Sequence, residues 1–162
     1  GYKSKGLKHY NEEFKEKFLI KKGDVLFSTL EQTHDLSLVG SPLIAPRELE
    51  GNAIFSQDLL RAREKKKGVL SRGFLFEWSK WQRMKMAVWA TGTTITRIPP
   101  DALKRFPVLV PSSEILHRFE QIFEYGFELQ ENISRLQFDL ATTRDSLLPR
   151  LISGELKVPM ES

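Results

Sequence analysis

The chain has 162 residues, 40% of them apolar, which is enough for one compact domain with some chain to spare. It contains no cysteine, and this excludes disulfides, thiolate metal sites and thiol catalysis. No apolar run approaches the about 18–20 residues that span a bilayer, and the opening GYKSKGLKHY lacks a signal-peptide core, so a soluble cytoplasmic protein without a membrane partner is expected.

The net charge of +4 is unevenly divided. Residues 112–162 carry nine acidic and five basic side chains, a net −4, and the remaining 20 basic and 12 acidic side chains give 1–111 a net +8. A basic body joined to an acidic tail points the body toward a polyanion and the tail toward protein.

Residues 1–22 are polar and charged, with Phe14, Phe18, Leu19 and Ile20 their clustered apolar positions, and read as loop plus a short amphipathic segment. Lys22-Gly23-Asp24 is a turn signal, and Val25-Leu26-Phe27 after it is a short strand. Further brief strands are expected at Leu36–Val39, which stops at Gly40 and Pro42, at Ala53–Phe55 and at Leu59–Leu60. Brief strands between turn residues form a small mixed or antiparallel sheet rather than a βαβ layout.

The most basic stretch follows, with Arg61, Arg63, Lys65, Lys66 and Lys67 before Gly68 and Arg72 just beyond. Clustered cations of this kind displace counterions from a nucleic acid, although a lysine-rich solvated hairpin tip has the same composition. Phe74 to Trp89 then places Phe74, Trp78, Trp81, Met84, Met86, Val88 and Trp89 at helical spacing, with Lys80, Arg83 and Lys85 between them. The three tryptophans fit core packing, with base stacking as the alternative. Ala90–Thr94 breaks that helix in a small hydroxyl-rich turn, where Gly92 would permit close approach of a phosphate and Thr93 and Thr94 would donate hydrogen bonds to it. Ile95–Ile98 is strand-like, Pro99-Pro100 stops it, and Leu103–Pro111 is an extended apolar segment.

The last third organises the chain. Apolar residues recur at Ile115, Phe119, Ile122, Leu129, Ile133, Leu136, Leu140 and Leu147. Their steps alternate four and three when Gly126 and Thr143 fill core places, which is the a/d seam of a coiled coil over about five heptads. Ser112 and Ser113 supply a cap, and Pro149 and Ser153-Gly154 mark where the helix weakens and stops. Glu114 to Leu148 makes a rod of about 50 Å, with a bend or close helix approach expected at Gly126.

Catalytic patterns are missing: His9, His34 and His117 have no metal-binding spacing, and neither GxSxG, GxxxxGK[ST] nor GxGxxG occurs. A non-catalytic protein that holds no cofactor or metal is expected.

The order of the pieces carries a resemblance. KGDVLFS at 22–28, FSQDLLRAR at 55–63, ATGTT at 90–94, FPVLVP at 106–111 and RDSLLPRLISGEL at 144–156 together resemble the target recognition domain and spacer helix of a type I restriction-modification specificity subunit. The resemblance implies a non-enzymatic subunit that reads half of a bipartite duplex DNA target. It also implies docking of modification (methyltransferase) subunits, which bring S-adenosylmethionine and in turn support the restriction subunit.

The resulting expectation is an α/β (α+β) recognition domain over 1–111, a small mixed sheet with a helix, followed by one long coiled-coil helix and short tail over 112–162. Arg61, Arg63, Lys65, Lys66, Lys67, Arg72, Lys80, Arg83, Thr93 and Thr94 would face DNA. The helix seam would meet a second spacer helix or another copy. One recognition domain and one spacer helix stand where a complete subunit has two of each, and Gly23-Asp24 comes early for the family, so the chain reads as a carboxy-terminal part or a half-subunit. Two other readings stay open: a coiled-coil interaction protein without DNA binding, and the recognition part of a fused methyltransferase-endonuclease.

Overall fold

The computed structural model describes residues 7–31, 37–62, 69–92 and 95–157. The fold is α+β. Its elements are β1 (Val25–Ser28), β2 (Leu30–Glu31), β3 (Pro42–Ile44), β4 (Leu59–Ala62), α1 (Arg72–Ala87), β5 (Thr96–Arg97) and α2 (Ser113–Ile152), with short 3-10 turns at Glu16–Phe18, Arg47–Leu49 and Pro100–Arg105. The chain divides into two compact units, Gly1–Gln121 and Ile122–Ser162. The first turns of α2 therefore belong to the first unit and the rest to the second.

In the first unit, β1 is the middle of a three-stranded antiparallel sheet in the order β3-β1-β4, with Leu26 opposite Leu43 on one side and Arg61 on the other. A central strand covered on both faces needs apolar residues without alternation, and Val25, Leu26 and Phe27 are all buried. Leu26 packs with Ile20 and Ala45 under Leu43, Leu49, Phe55 and Leu59. A second cluster of Val39, Met86, Ala87 and Ile98, bordered by Trp78, Ala90 and Phe106, joins the end of α1 to the chain around it. A two-stranded β2-β5 ladder pairs Leu30 with Arg97. Thr29 ties the two sheets, since its N–H and hydroxyl donate to the Asp58 carbonyl while its own carbonyl accepts from Ile98.

Local chemistry explains the elements. The turn into β1 closes on itself: Asp24 N–H donates to the Lys21 carbonyl, Lys21 N–H donates to the Asp24 carboxylate at 2.8 Å, and Gly23 holds the left-handed φ of 82° between them. Buried Glu31 accepts the N–H groups of Leu38 and Val39 on one carboxylate oxygen and so anchors the turn before β3. Ser71 caps α1 by accepting from Phe74 N–H at 3.2 Å.

Three expectations are corrected. Residues 37–40 form a turn rather than a strand, and Pro42 opens β3 instead of ending one; Leu36 lies outside the described residues. Proline is tolerated there because β3 is an edge strand, whose outward N–H positions need no partner. The approach to α2 is not wholly extended, since Pro100–Arg105 coils into a 3-10 turn under the preset φ of its prolines. Gly92 does not open a space for a ligand: with φ at 135°, an added Cβ would collide with the Ile95 carbonyl oxygen in the turn closed by the Thr91–Arg97 bridge. The glycine serves the hairpin.

α2 begins where Ser112 Oγ accepts from Ile115 N–H at 3.5 Å, and in the first unit it buries Leu116. The Glu120 carboxylate there accepts the otherwise unused Gly73 N–H at the start of α1 at 3.2 Å. In the second unit the helix continues through Pro149 and ends near Gly154, whose φ is 75°. Pro149 removes one N–H near the end of the helix, where a lost rung interrupts little beyond it. No helix among the described residues is long and apolar enough to cross a membrane.

Candidate nucleic-acid interface and helix seam

The residues expected to face DNA separate into three groups. Arg63, Lys65, Lys66, Lys67, Thr93 and Thr94 lie outside the described residues. Arg61, on β4, turns inward. Its Nη1 donates to the Leu19 carbonyl at 2.9 Å and to Asp24 Oδ2 at 3.4 Å, and its guanidinium stands 5.5 Å from the Phe55 ring centre. Through Nη1 it braces the sheet, and its side chain also lines the open cleft described below.

Arg72, Lys80 and Arg83 share α1. Arg72 and Arg83 are eleven residues apart, three helical turns, and project from nearly the same side, both half-buried. Lys80 projects from another side, exposed, 3.3 Å from Glu77. The structure therefore brings Arg72 and Arg83 onto one line and leaves Lys80 off it.

The tryptophans part company as well. Trp78 packs against the second core cluster, as core packing requires, whereas Trp81 is 71% exposed under the Lys85 ammonium at 4.8 Å. Trp89 is exposed beneath the Arg105 guanidinium at 4.6 Å. Three tryptophans in twelve residues cannot all point inward when one stripe of a helix is buried.

An open cleft of about 760 Å³ was not expected. It runs between residues 10–18 and the segment leading into β4, with Tyr10, Phe14, Phe18 and Phe55 among its walls and Lys15 and Lys17 on its rim. Phe18 and Phe55 meet edge to face at 5.6 Å, and the Lys17 ammonium lies 4.9 Å from the Phe18 ring centre. Ser56 and Gln57, from the segment that carries the resemblance, also line it. The sequence signal was available in Tyr10, Phe14 and Phe18 at steps of four, with Glu12 and Glu13 in the first interval and Lys15, Glu16 and Lys17 in the second.

Other cations are neutralised locally. Lys21 donates to Glu16 at 2.7 Å, and this hydrogen bond, aided by the ammonium charge, holds the Glu16 carboxyl below its usual range. Lys104 does the same to Asp101 at 2.6 Å. Both folded values are lowered, so these pairings are complete above the ordinary carboxylate pKa and are lost as pH falls below it.

The seam can be followed along the second unit. Ile122, Leu129, Ile133, Leu136, Leu140 and Leu147 are all exposed, together with Tyr125 beside them. Nothing lies within 4 Å of a Cβ placed on Gly126, so that position is open. In the first unit Ile115 is exposed and Phe119 half-buried.

No family model, curated protein or solved structure matches this chain. Among the described residues no group of three or more His, Asp or Glu side chains could hold a metal ion.

Proposed function

We infer that the chain is a non-catalytic DNA-recognition subunit, or half of one, in a type I restriction-modification assembly. On this reading the basic unit contacts one half of a bipartite duplex target, and α2 pairs with a second spacer helix and docks the modification subunits. The observation that carries the reading is the exposed apolar seam of Ile122–Ser162, a heptad face that costs free energy in water and belongs against another helix. The basic charge of 1–111 and the ordered blocks that resemble the specificity subunits add the DNA side.

Phosphate contact is assigned to Lys65, Lys66 and Lys67, with Arg63 and Arg72 flanking them and Thr93 and Thr94 donating hydrogen bonds. Arg83 extends the line of Arg72, and Arg61 acts by bracing β4. Replacing Lys65, Lys66 and Lys67 together by alanine should weaken binding about equally on all duplex sequences. It should also flatten the slope of log affinity against log salt by about 0.9 for each phosphate that is no longer neutralised. Titration of a labelled random duplex at several salt concentrations measures this. An unchanged slope removes the run from the interface, and an absence of duplex binding in the unmodified chain favours the interaction-protein reading.

The purified chain with DNA, Mg²⁺, ATP and S-adenosylmethionine should neither methylate nor cut. Methyl transfer by the chain alone, scored with labelled methyl donor, would overturn the non-catalytic assignment.

A further inference from the structure

α1 has a buried face and, opposite it, an exposed face that carries large apolar side chains. Ser79, Gln82 and Met86 project inward and are buried. On the opposite side Trp81, Met84 and Val88 are 71%, 66% and 82% exposed. With half-buried Phe74 and with Glu77 they fall at steps of three, four, three and four, which is an a/d pattern of two heptads on the outside of the domain. In that register Lys80 and Lys85 occupy the g and e positions that flank Trp81. A solvated helix face has no use for three large apolar side chains at this spacing.

The geometry points to this face as the docking strip for an acidic amphipathic helix of a different protein. Charge selects the occupant. α1 carries four basic side chains and one acidic one, and both positions flanking Trp81 are lysine. A second copy of α1 would set these lysines against their counterparts. The second unit's own helix is also a poor match, because Asp139 is the one acid among the e and g positions that flank its seam from Phe123 to Ser146. A helix with apolar a and d residues and Glu or Asp at e and g satisfies both the stripe and its rim. Glu77 holds Lys80 only by an exposed pair at 3.3 Å, which such a partner can displace. DNA is disfavoured because Met84 and Val88 offer nothing to a phosphate backbone. This docking is independent of the DNA reading and of the α2 seam.

The test uses the full chain and two synthetic three-heptad peptides with leucine at a and d, one with glutamate and the other with lysine at e and g. Fluorescence anisotropy at low salt should show the glutamate peptide binding at least about tenfold tighter than the lysine peptide. Trp81→Asp with Met84→Asp should abolish this binding while leaving the thermal unfolding midpoint in place, since both residues lie off the core. Lys80→Glu with Lys85→Glu should reverse the preference between the peptides. Failure of both peptides to bind, equal binding of the two, or indifference to the aspartate substitutions each overturns the proposal. So does loss of duplex DNA affinity in the aspartate variant without peptide binding by the unmodified chain, which would assign the face to DNA.

Discussion

Leu129→Asp with Ile133→Asp should convert a self-associated chain into a monomer. Both residues are exposed in the single chain and sit mid-seam on α2, where a partner helix would enclose them. Full burial of one such side chain contributes about 1.5–3 kcal/mol, and each 1.4 kcal/mol is about a factor of ten in dissociation constant. Removing two per helix, with carboxylates in their place, should raise the dissociation constant by at least about a hundredfold. The first unit does not depend on these side chains for its core, so its thermal transition should move little. Sedimentation over a micromolar concentration series reads the first effect and circular dichroism the second. An unmodified chain that stays monomeric at high micromolar concentration, with a variant of equal stability, would show that the seam does not self-associate.

Asp24→Ala should cost the basic unit more stability than any surface substitution. The Asp24 side chain is 1% exposed and Arg61 17%, with 3.4 Å between Nη1 and Oδ2. Removing the carboxylate strands a mostly buried guanidinium and frees the Lys21 N–H that closes the turn into β1. Breaking a buried pair in this way costs about 3–5 kcal/mol. The partial exposure of Arg61 sets the expectation near the lower end, a fall in melting temperature of about 10 °C. Arg61→Met should be destabilising too, and the double variant should lose less than the sum of the single losses, with a coupling of at least about 1 kcal/mol. Strict additivity in that double-mutant cycle would mean that the two residues do not act as a pair. If Arg61→Met instead left stability intact and weakened DNA binding alone, Arg61 would be a phosphate ligand after all.

Elements whose own periodicity or turn chemistry is decisive were legible in the residues. Val25–Phe27 follows a Lys-Gly-Asp turn, Phe74–Trp89 has the helical spacing that the structure realises as Arg72–Ala87, and Ser113–Ile152 keeps a heptad pattern for most of its length. The α+β class follows from these pieces without knowing how they pack. What depends on neighbours far along the chain was not legible. Pro42 reads as a stop, yet it starts an edge strand because β1 supplies the pairing it needs on one side only. Trp78 and Trp81 stand three residues apart with the same side chain, and only the position of the second core cluster decided that one packs and the other faces water. Arg61 belongs by composition to the basic run, but pairing of β4 with β1 carries it beside Asp24, where its charge serves the fold. Composition and spacing determine which side chains a segment can offer. Which of them meet an opposite charge, a core or only water is settled when strands distant in sequence pair, because burial and pairing are properties of the neighbours as much as of the residue.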